Sequence, residues 1–174
     1  KENALSYNTK NINETIKDGI KISLALQNMR GRKTIGIKLK LIDTTVIKYD
    51  AYGLYLYRDK IDEKQMKQMI EEFAIFANSY IGEYLKIHLD DNGIYRTCDA
   101  SEITGCDFNN IDGNELLQYI ITNGISAEYM NNAASHDLVG SKEYTHFTSP
   151  IRRASDCICH YLLKYLYLKN INKD

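Results

Sequence analysis

The hydrophobic pattern changes period along the chain, and this change limits the fold more than any other feature. From Ile12 to Met29, the residues Ile12, Ile16, Ile20, Leu24 and Ala25 recur at helical spacing, and Gly31 is placed to end that helix. Ile35, Ile37, Leu39 and Leu41 then alternate with Gly36, Lys38 and Lys40, the period of a half-buried strand. Val46 to Tyr49 and Leu54 to Tyr57 flank Asp50-Ala51-Tyr52-Gly53, which predicts two strands around a glycine-containing turn. Asp62 with Gln65 three residues on forms a capping box, so a long helix is expected through about Leu85. Its residues Met66, Met69, Ile70, Phe73, Phe76, Ala77, Tyr80 and Ile81 make one wide apolar stripe. Gly93 to Thr97 reads as a short strand and Ala100 to Gly113 as a loop. Short helices are expected over Glu115 to Thr122 and Ala127 to Ala134. After a break at Ser135 to Gly140, a last helix should start near Ser149 or Pro150 and run to about Lys169. With no repeat and no linker, the pattern predicts a single α+β domain of mixed helices and antiparallel strands.

Composition narrows the function classes. The 174 residues are 44% hydrophobic and 26% charged, an ordinary globular balance that excludes low-complexity and fully disordered readings. No apolar run approaches the roughly 20 residues needed to cross a bilayer, so no membrane partner is expected. The start, Lys1 to Tyr7, has neither a basic n-region nor an apolar h-region, and without an initiator Met it reads as an interior piece of a longer chain. A net charge of -1, from 22 basic and 23 acidic side chains, gives no bulk attraction for nucleic acid, so RNA binding would need local placement of charge. Cys98, Cys106, Cys157 and Cys159 lack zinc-ligand spacing. Small buried thiols in a reducing, cytoplasmic setting are expected, and no zinc.

The sharpest local signal is Tyr144-Thr145-His146-Phe147-Thr148-Ser149-Pro150-Ile151-Arg152-Arg153. Pro150 is the one proline of the chain, and proline is favoured at the first position of a helix. Ser149 would then be the N-cap, preceded by Thr148. Free N–H groups and the positive dipole end make such a start an anion site. Two arginines there run against the dipole, unless an anion lies between them and the helix. Arginine suits that task because its planar fork holds two phosphate oxygens at once. The bland alternative is a capped helix whose arginines make surface ion pairs.

Continued through Asp156, His160, Leu162 and Leu163, this string resembles the C-terminal signature of the RNB catalytic domain of ribonuclease II and ribonuclease R exoribonucleases. Met69-Ile70-Glu71-Glu72-Phe73 followed by Ala77-Asn78 is similar to that family's Glu-Glu helix motif. Leu5-Ser6-Tyr7, Arg32 and Gly36 to Leu39 are similar to the run before it. The resemblance implies 3′-to-5′ hydrolysis of single-stranded RNA to nucleoside monophosphates, with Mg²⁺ activating water in the complete enzyme. It places Arg152 on the scissile phosphate and Arg153 on a second phosphate. Tyr7 and Glu71 would recognise the terminal ribose with its 2′-hydroxyl, making Arg152, Glu71 and Tyr7 the catalytic set. Thr148, Ser149 and His146 join Arg153 as substrate-binding candidates. Read without the family, Glu71 is a carboxylate early in a helix, Tyr7 one of 14 tyrosines, and His146 a residue that orients the loop. Asp156 and His160, four apart on one helix face, read as support for the arginine turn rather than as metal ligands.

The sequence also departs from the pattern. The family's compact aspartate cluster, which would hold the metal, has no counterpart before Tyr7, and Asp90-Asp91 and Asp107 to Asp112 fall in the wrong order. The flanking cold-shock and S1-type domains are missing. Leu39 stands where an aromatic clamp is usual, Ala154 where an aromatic follows the arginines, and Tyr161 where an Arg follows the histidine. The chain thus reads as the C-terminal half of an RNB domain, over 1–174, whose partner is the upstream half carrying the metal ligands. This segment alone should bind no metal and be inactive. The alternative is a catalytically inactive RNA-binding or assembly subunit.

Overall fold

The computed structural model describes residues 9–33, 45–100 and 113–171. Helix α1 (Thr9–Lys33) is followed by a hairpin of β1 (Thr45–Asp50) and β2 (Gly53–Arg58), and then by the long helix α2 (Ile61–His88). Strand β3 (Tyr95–Thr97), helix α3 (Gly113–Thr122), strand β4 (Glu128–Met130) and helix α4 (Ala154–Ile171) complete the order. The result is α+β, as the two periods predict. Helix α2 is the axis: both α1 and α4 pack against it. The strand expected over 35–41, and with it Leu39, lies outside the described residues.

The hairpin forms as its sequence suggests, with Ile47 opposite Leu56 and Tyr49 opposite Leu54. These four point to one exposed face, between 67% and 80% accessible. On the other face Lys48 lies 3.3 Å above the Tyr57 ring, and the Tyr57 hydroxyl donates to Glu63 in the first turn of α2. Gly53 takes φ 121°, a conformation that favours glycine.

Several boundaries differ from expectation, each for a physical reason. Helix α1 continues through Gly31 to Lys33. Helix α2 starts one residue before Asp62, because Glu63 rather than Gln65 reaches back to accept the Lys60 N–H at 3.1 Å. Its buried residues are Glu72, Ile75, Asn78, Gly82 and Leu85, while Ile70, Phe73, Phe76 and Tyr80 of the expected stripe are exposed. The inward face is thus rotated from the most apolar one, because polar Glu72 and Asn78 find partners inside. Residues 128–130 are a strand and not part of a helix over 127–134: Gly124, at φ 64°, closes α3 with bonds from its N–H to Ile121 and from Ile125 N–H to Ile120. The chain then runs extended, and β4 pairs antiparallel with β3, Arg96 opposite Tyr129.

Helix α4 begins at Ala154, so Ser149 is not its N-cap nor Pro150 its first residue. Residues 149–152 instead form a turn closed by the Arg152 N–H on the Ser149 carbonyl at 3.3 Å. Proline is equally favoured at the second position of such a turn, which is why the same residue supports both readings.

The core lies between the C-terminal half of α2 and α4. Leu85, Cys159 and Leu166 are buried there, with Ile81, Tyr84, Leu89, Ile94, Phe147, Leu162 and Leu163 packed around them. Cys98 and Cys159 are buried thiols, as expected, and Cys157 is exposed. At Gly82 the chain at 143–144 crosses α2 so closely that an added Cβ would lie 2.9 Å from the Glu143 carbonyl oxygen. His136 bridges Cys98 on one side and Ser141 on the other, and its burial pushes the imidazole down to about 4.

Two measurements follow from this packing. Gly82→Ala should destabilise the protein by about 1–3 kcal/mol, seen as a lower urea midpoint, because the obstructing atom is backbone and cannot turn aside. The buried neutral His136 sets a pH dependence. The unfolded imidazole takes its proton near 6.5 and the folded one near 4, so this stability is complete above 6.5 and is lost as pH falls between those values. Its share is about 2 kcal/mol between pH 7 and pH 5, and imidazole NMR shifts should show His136 still neutral at pH 5.

Candidate functional site

The segment from Tyr144 to Arg153 is held against α2 by one side chain. Asn78 is 2% exposed. Its amide nitrogen donates to the Tyr144 hydroxyl at 2.9 Å, and its Oδ1 accepts the N–H groups of Phe147 at 3.0 Å and Thr148 at 3.3 Å. Its backbone carbonyl accepts the Thr145 N–H. On the other side Tyr144 accepts the Arg96 N–H at 2.7 Å, and the Thr145 hydroxyl donates to the Ile94 carbonyl at 2.6 Å. The segment therefore lies as an extra extended stretch between β3 and α2, and emerges at Thr148 with its backbone already fixed.

The turn that follows is organised by Asp156, which is fully buried in the first turn of α4. Its Oδ1 accepts the Ser149 N–H at 2.7 Å and Arg153 Nη2 at 2.9 Å. Its Oδ2 accepts the Ser155 hydroxyl at 3.2 Å and sits 2.8 Å from Arg153 Nε, a charge contact without hydrogen-bond alignment. Burial alone would raise this carboxyl. The hydrogen bonds from Arg153 and the Ser149 N–H outweigh it and hold the group below its ordinary range. A carboxylate near a helix start also favours the dipole, which resolves the apparent conflict of arginines there.

His146 is half-buried, its Nδ1 at 2.6 Å from the Tyr129 hydroxyl, which in turn lies 2.9 Å from Ser155 Oγ. Desolvation, with Arg153 next in weight, pushes His146 down to about 4, so near neutral pH it is an uncharged hydrogen-bonding group. The Arg96 guanidinium sits 4.7 Å over the Tyr129 ring. His160 stacks on Phe147, its Nε2 2.9 Å from the Phe147 carbonyl, so it supports the loop as its spacing suggests.

Glu71 is exposed on α2, two turns before Asn78. Partial desolvation raises its carboxyl, the Glu72 charge raises it further, and Arg30 opposes both. Arg30 pairs with buried Glu72, Nη2 to Oε1 at 2.5 Å, and its Nη1 donates to the Val139 carbonyl, so α1, α2 and the loop at 139 are tied together. Burial raises the Tyr144 hydroxyl, the Asn78 hydrogen bond lowers it, and charge from Arg153, Arg30 and Glu71 is also felt there.

Thr148, Ser149, Arg152 and Arg153 lie along one segment, and His146 feels the charge of both arginines; Tyr7 lies outside the described residues. Thr148 and Ser149 use their backbone N–H groups on Asn78 and Asp156. Arg152 is exposed, and among the described residues it has no ion-pair partner. Sequence reasoning gave no role to Asn78, Tyr129 or Arg30. A polar residue amid the buried positions of α2 was a readable sign for Asn78, but Tyr129 was hidden by a mistaken helix. No group of three His, Cys, Asp or Glu side chains that could hold a metal occurs among the described residues.

Comparison with known proteins bears on the fold and the family. The family model of the RNB domain matches residues 1–169. Ribonuclease R 1 of Lactococcus lactis is 26% identical over 150 residues, covering 83% of this chain and 17% of its own length. Among solved structures, ribonuclease R of Mycoplasma genitalium in complex with ribose-methylated single-stranded RNA superposes with a TM-score of 0.64 at 21% identity, over 92% of this chain and 30% of that one. The Dss1 exoribonuclease of Candida glabrata superposes with a TM-score of 0.72 at 17% identity, over 97% and 22%. The chain spans less than a third of each of these relatives. With the fold shared and the family model covering nearly every residue, this chain belongs to the RNB domain family.

Proposed function

We propose that this RNB segment forms the RNA-end-binding part of an exoribonuclease that removes nucleoside 5′-monophosphates from the 3′ end of single-stranded RNA. The observation that carries this reading is the turn at 149–152: the chain is held on entry by Asn78 at Thr148 and by Asp156 at Ser149, and Arg152 is exposed with no ion-pair partner among the described residues. The backbone that carries this guanidinium is fixed before substrate arrives, which suits the group to meet charge that develops on a phosphate in the transition state. Glu71, exposed on the neighbouring helix, is the acceptor proposed for the 2′-hydroxyl, together with Tyr7. His146, neutral and held by Tyr129, would offer the substrate a hydrogen bond, and Thr148 and Ser149 their hydroxyls.

The expected magnesium does not fit the described residues. Among the described residues the one fully buried aspartate, Asp156, has its oxygens occupied by Arg153, Ser149 and Ser155. We therefore assign the metal ligands to the upstream half of the catalytic domain. Binding of single-stranded RNA is supported by the solved M. genitalium relative, which holds such a strand.

The test is release of mononucleotides from a 3′-labelled single strand. The 174-residue chain should release none with Mg²⁺ or Mn²⁺, and the same chain joined to its upstream half should trim the 3′ end. A joined protein that binds RNA without trimming it would favour the inactive-subunit reading. In the active protein, Arg152→Lys keeps the charge but loses the fork, and should lower kcat roughly 100-fold with little change in RNA affinity. Glu71→Ala should shrink the ratio of RNA to DNA cleavage by roughly tenfold or more, measured on strands that differ only in the terminal sugar.

A further inference from the structure

Resting on that reading, we infer that Arg153 is not an RNA contact but one half of a positioning pair with Asp156, which sets the turn so that Arg152 alone faces the phosphate. Adjacent arginines on one turn look equivalent in sequence. Their surroundings are not. Arg153 is 23% exposed and engages both oxygens of a carboxylate that is 0% exposed. Arg152 is exposed.

Each Asp156 oxygen already meets two groups: Ser149 N–H and Arg153 on one, the Ser155 hydroxyl and Arg153 on the other. Swinging the Arg153 guanidinium out to a phosphate would leave a buried carboxylate without its counter-charge, a costly state. The same carboxylate fixes the Ser149 N–H, so the start of the turn and Arg153, which follows it, share one anchor. Tyr129 extends the network from β4. Its hydroxyl joins Ser155 to His146, so the turn is held from the strand side as well as from α4. An arginine woven into such a network acts on substrate only through the geometry it gives its neighbour.

The experiment uses the complete protein in three readouts. Binding of a single-stranded RNA, in EDTA to prevent cleavage, is followed by fluorescence anisotropy across KCl concentrations. Arg152→Gln should reduce the slope of log affinity against log salt by about 0.7, the loss of one phosphate contact on a single strand, whereas Arg153→Lys and Arg153→Gln should leave the slope unchanged. In the cleavage assay Arg153→Lys should lower kcat about tenfold at nearly constant KM, a split that a purely structural role would not give. Thermal melting of Arg153→Gln, Asp156→Asn and the double variant forms the third readout. The double variant should melt no lower than the worse single one, because removing both charges relieves the unpaired group. A slope reduced as much at Arg153 as at Arg152, or additive melting losses, would overturn the inference. If Arg152→Gln leaves the slope unchanged, the RNA reading of the turn itself fails, and the melting cycle still decides whether Arg153 and Asp156 are a pair.

Discussion

One buried amide carries the site. Asn78 bonds the Tyr144 hydroxyl, the Phe147 N–H and the Thr148 N–H, and its own carbonyl takes the Thr145 N–H. Three backbone N–H groups of an irregular stretch, at Thr145, Phe147 and Thr148, are thereby given partners that a sheet would otherwise supply. Without them the segment would leave buried donors unpaired, each at a cost of about 1–3 kcal/mol. Gly82, one helical turn further along α2, makes the same approach possible sterically, by offering no side chain where Glu143 crosses. Attraction at Asn78 and clearance at Gly82 act on one crossing point.

The electrostatics are built by layers around that crossing. Buried Glu72 is neutralised by Arg30 from α1, and buried Asp156 by Arg153 from the turn. Each acidic group satisfies an arginine that would otherwise add positive charge, so the net charge of -1 is compatible with a local outward cation at Arg152. This is why bulk charge says little about such a protein. What matters is which guanidinium groups are already paired, and that is a property of the fold.

Much of this was legible in the sequence. The two hydrophobic periods gave the α1, hairpin and α2 order, and the string through Arg153 pointed to the RNB family before any coordinates. What the pattern misplaced has a common cause. The inward face of α2 is set by Glu72 and Asn78, which are buried because partners distant in sequence meet them, and periodicity counts only apolar residues. Residues 128–130 became a strand because β3 lay beside them, a tertiary preference over a local one. Pro150 suits both a helix start and a turn, and Asp156 decided between them by drawing in the Ser149 N–H. The support roles of Asp156 and His160, in contrast, followed from spacing alone and agree with their contacts.

The hairpin carries a separate consequence for handling the protein. Among the described residues β1 and β2 form a two-stranded sheet, and Ile47, Leu56, Tyr49 and Leu54 make an accessible apolar ladder across it. With no third strand on it among the described residues, a short ribbon with a greasy face is a template for strands of other molecules, which favours aggregation as concentration rises. The brake is Lys48, in the middle of β1 and held over Tyr57 on the reverse face. Stacking a second strand there would strip water from its ammonium group, so this one lysine acts as gatekeeper for an otherwise sticky ribbon.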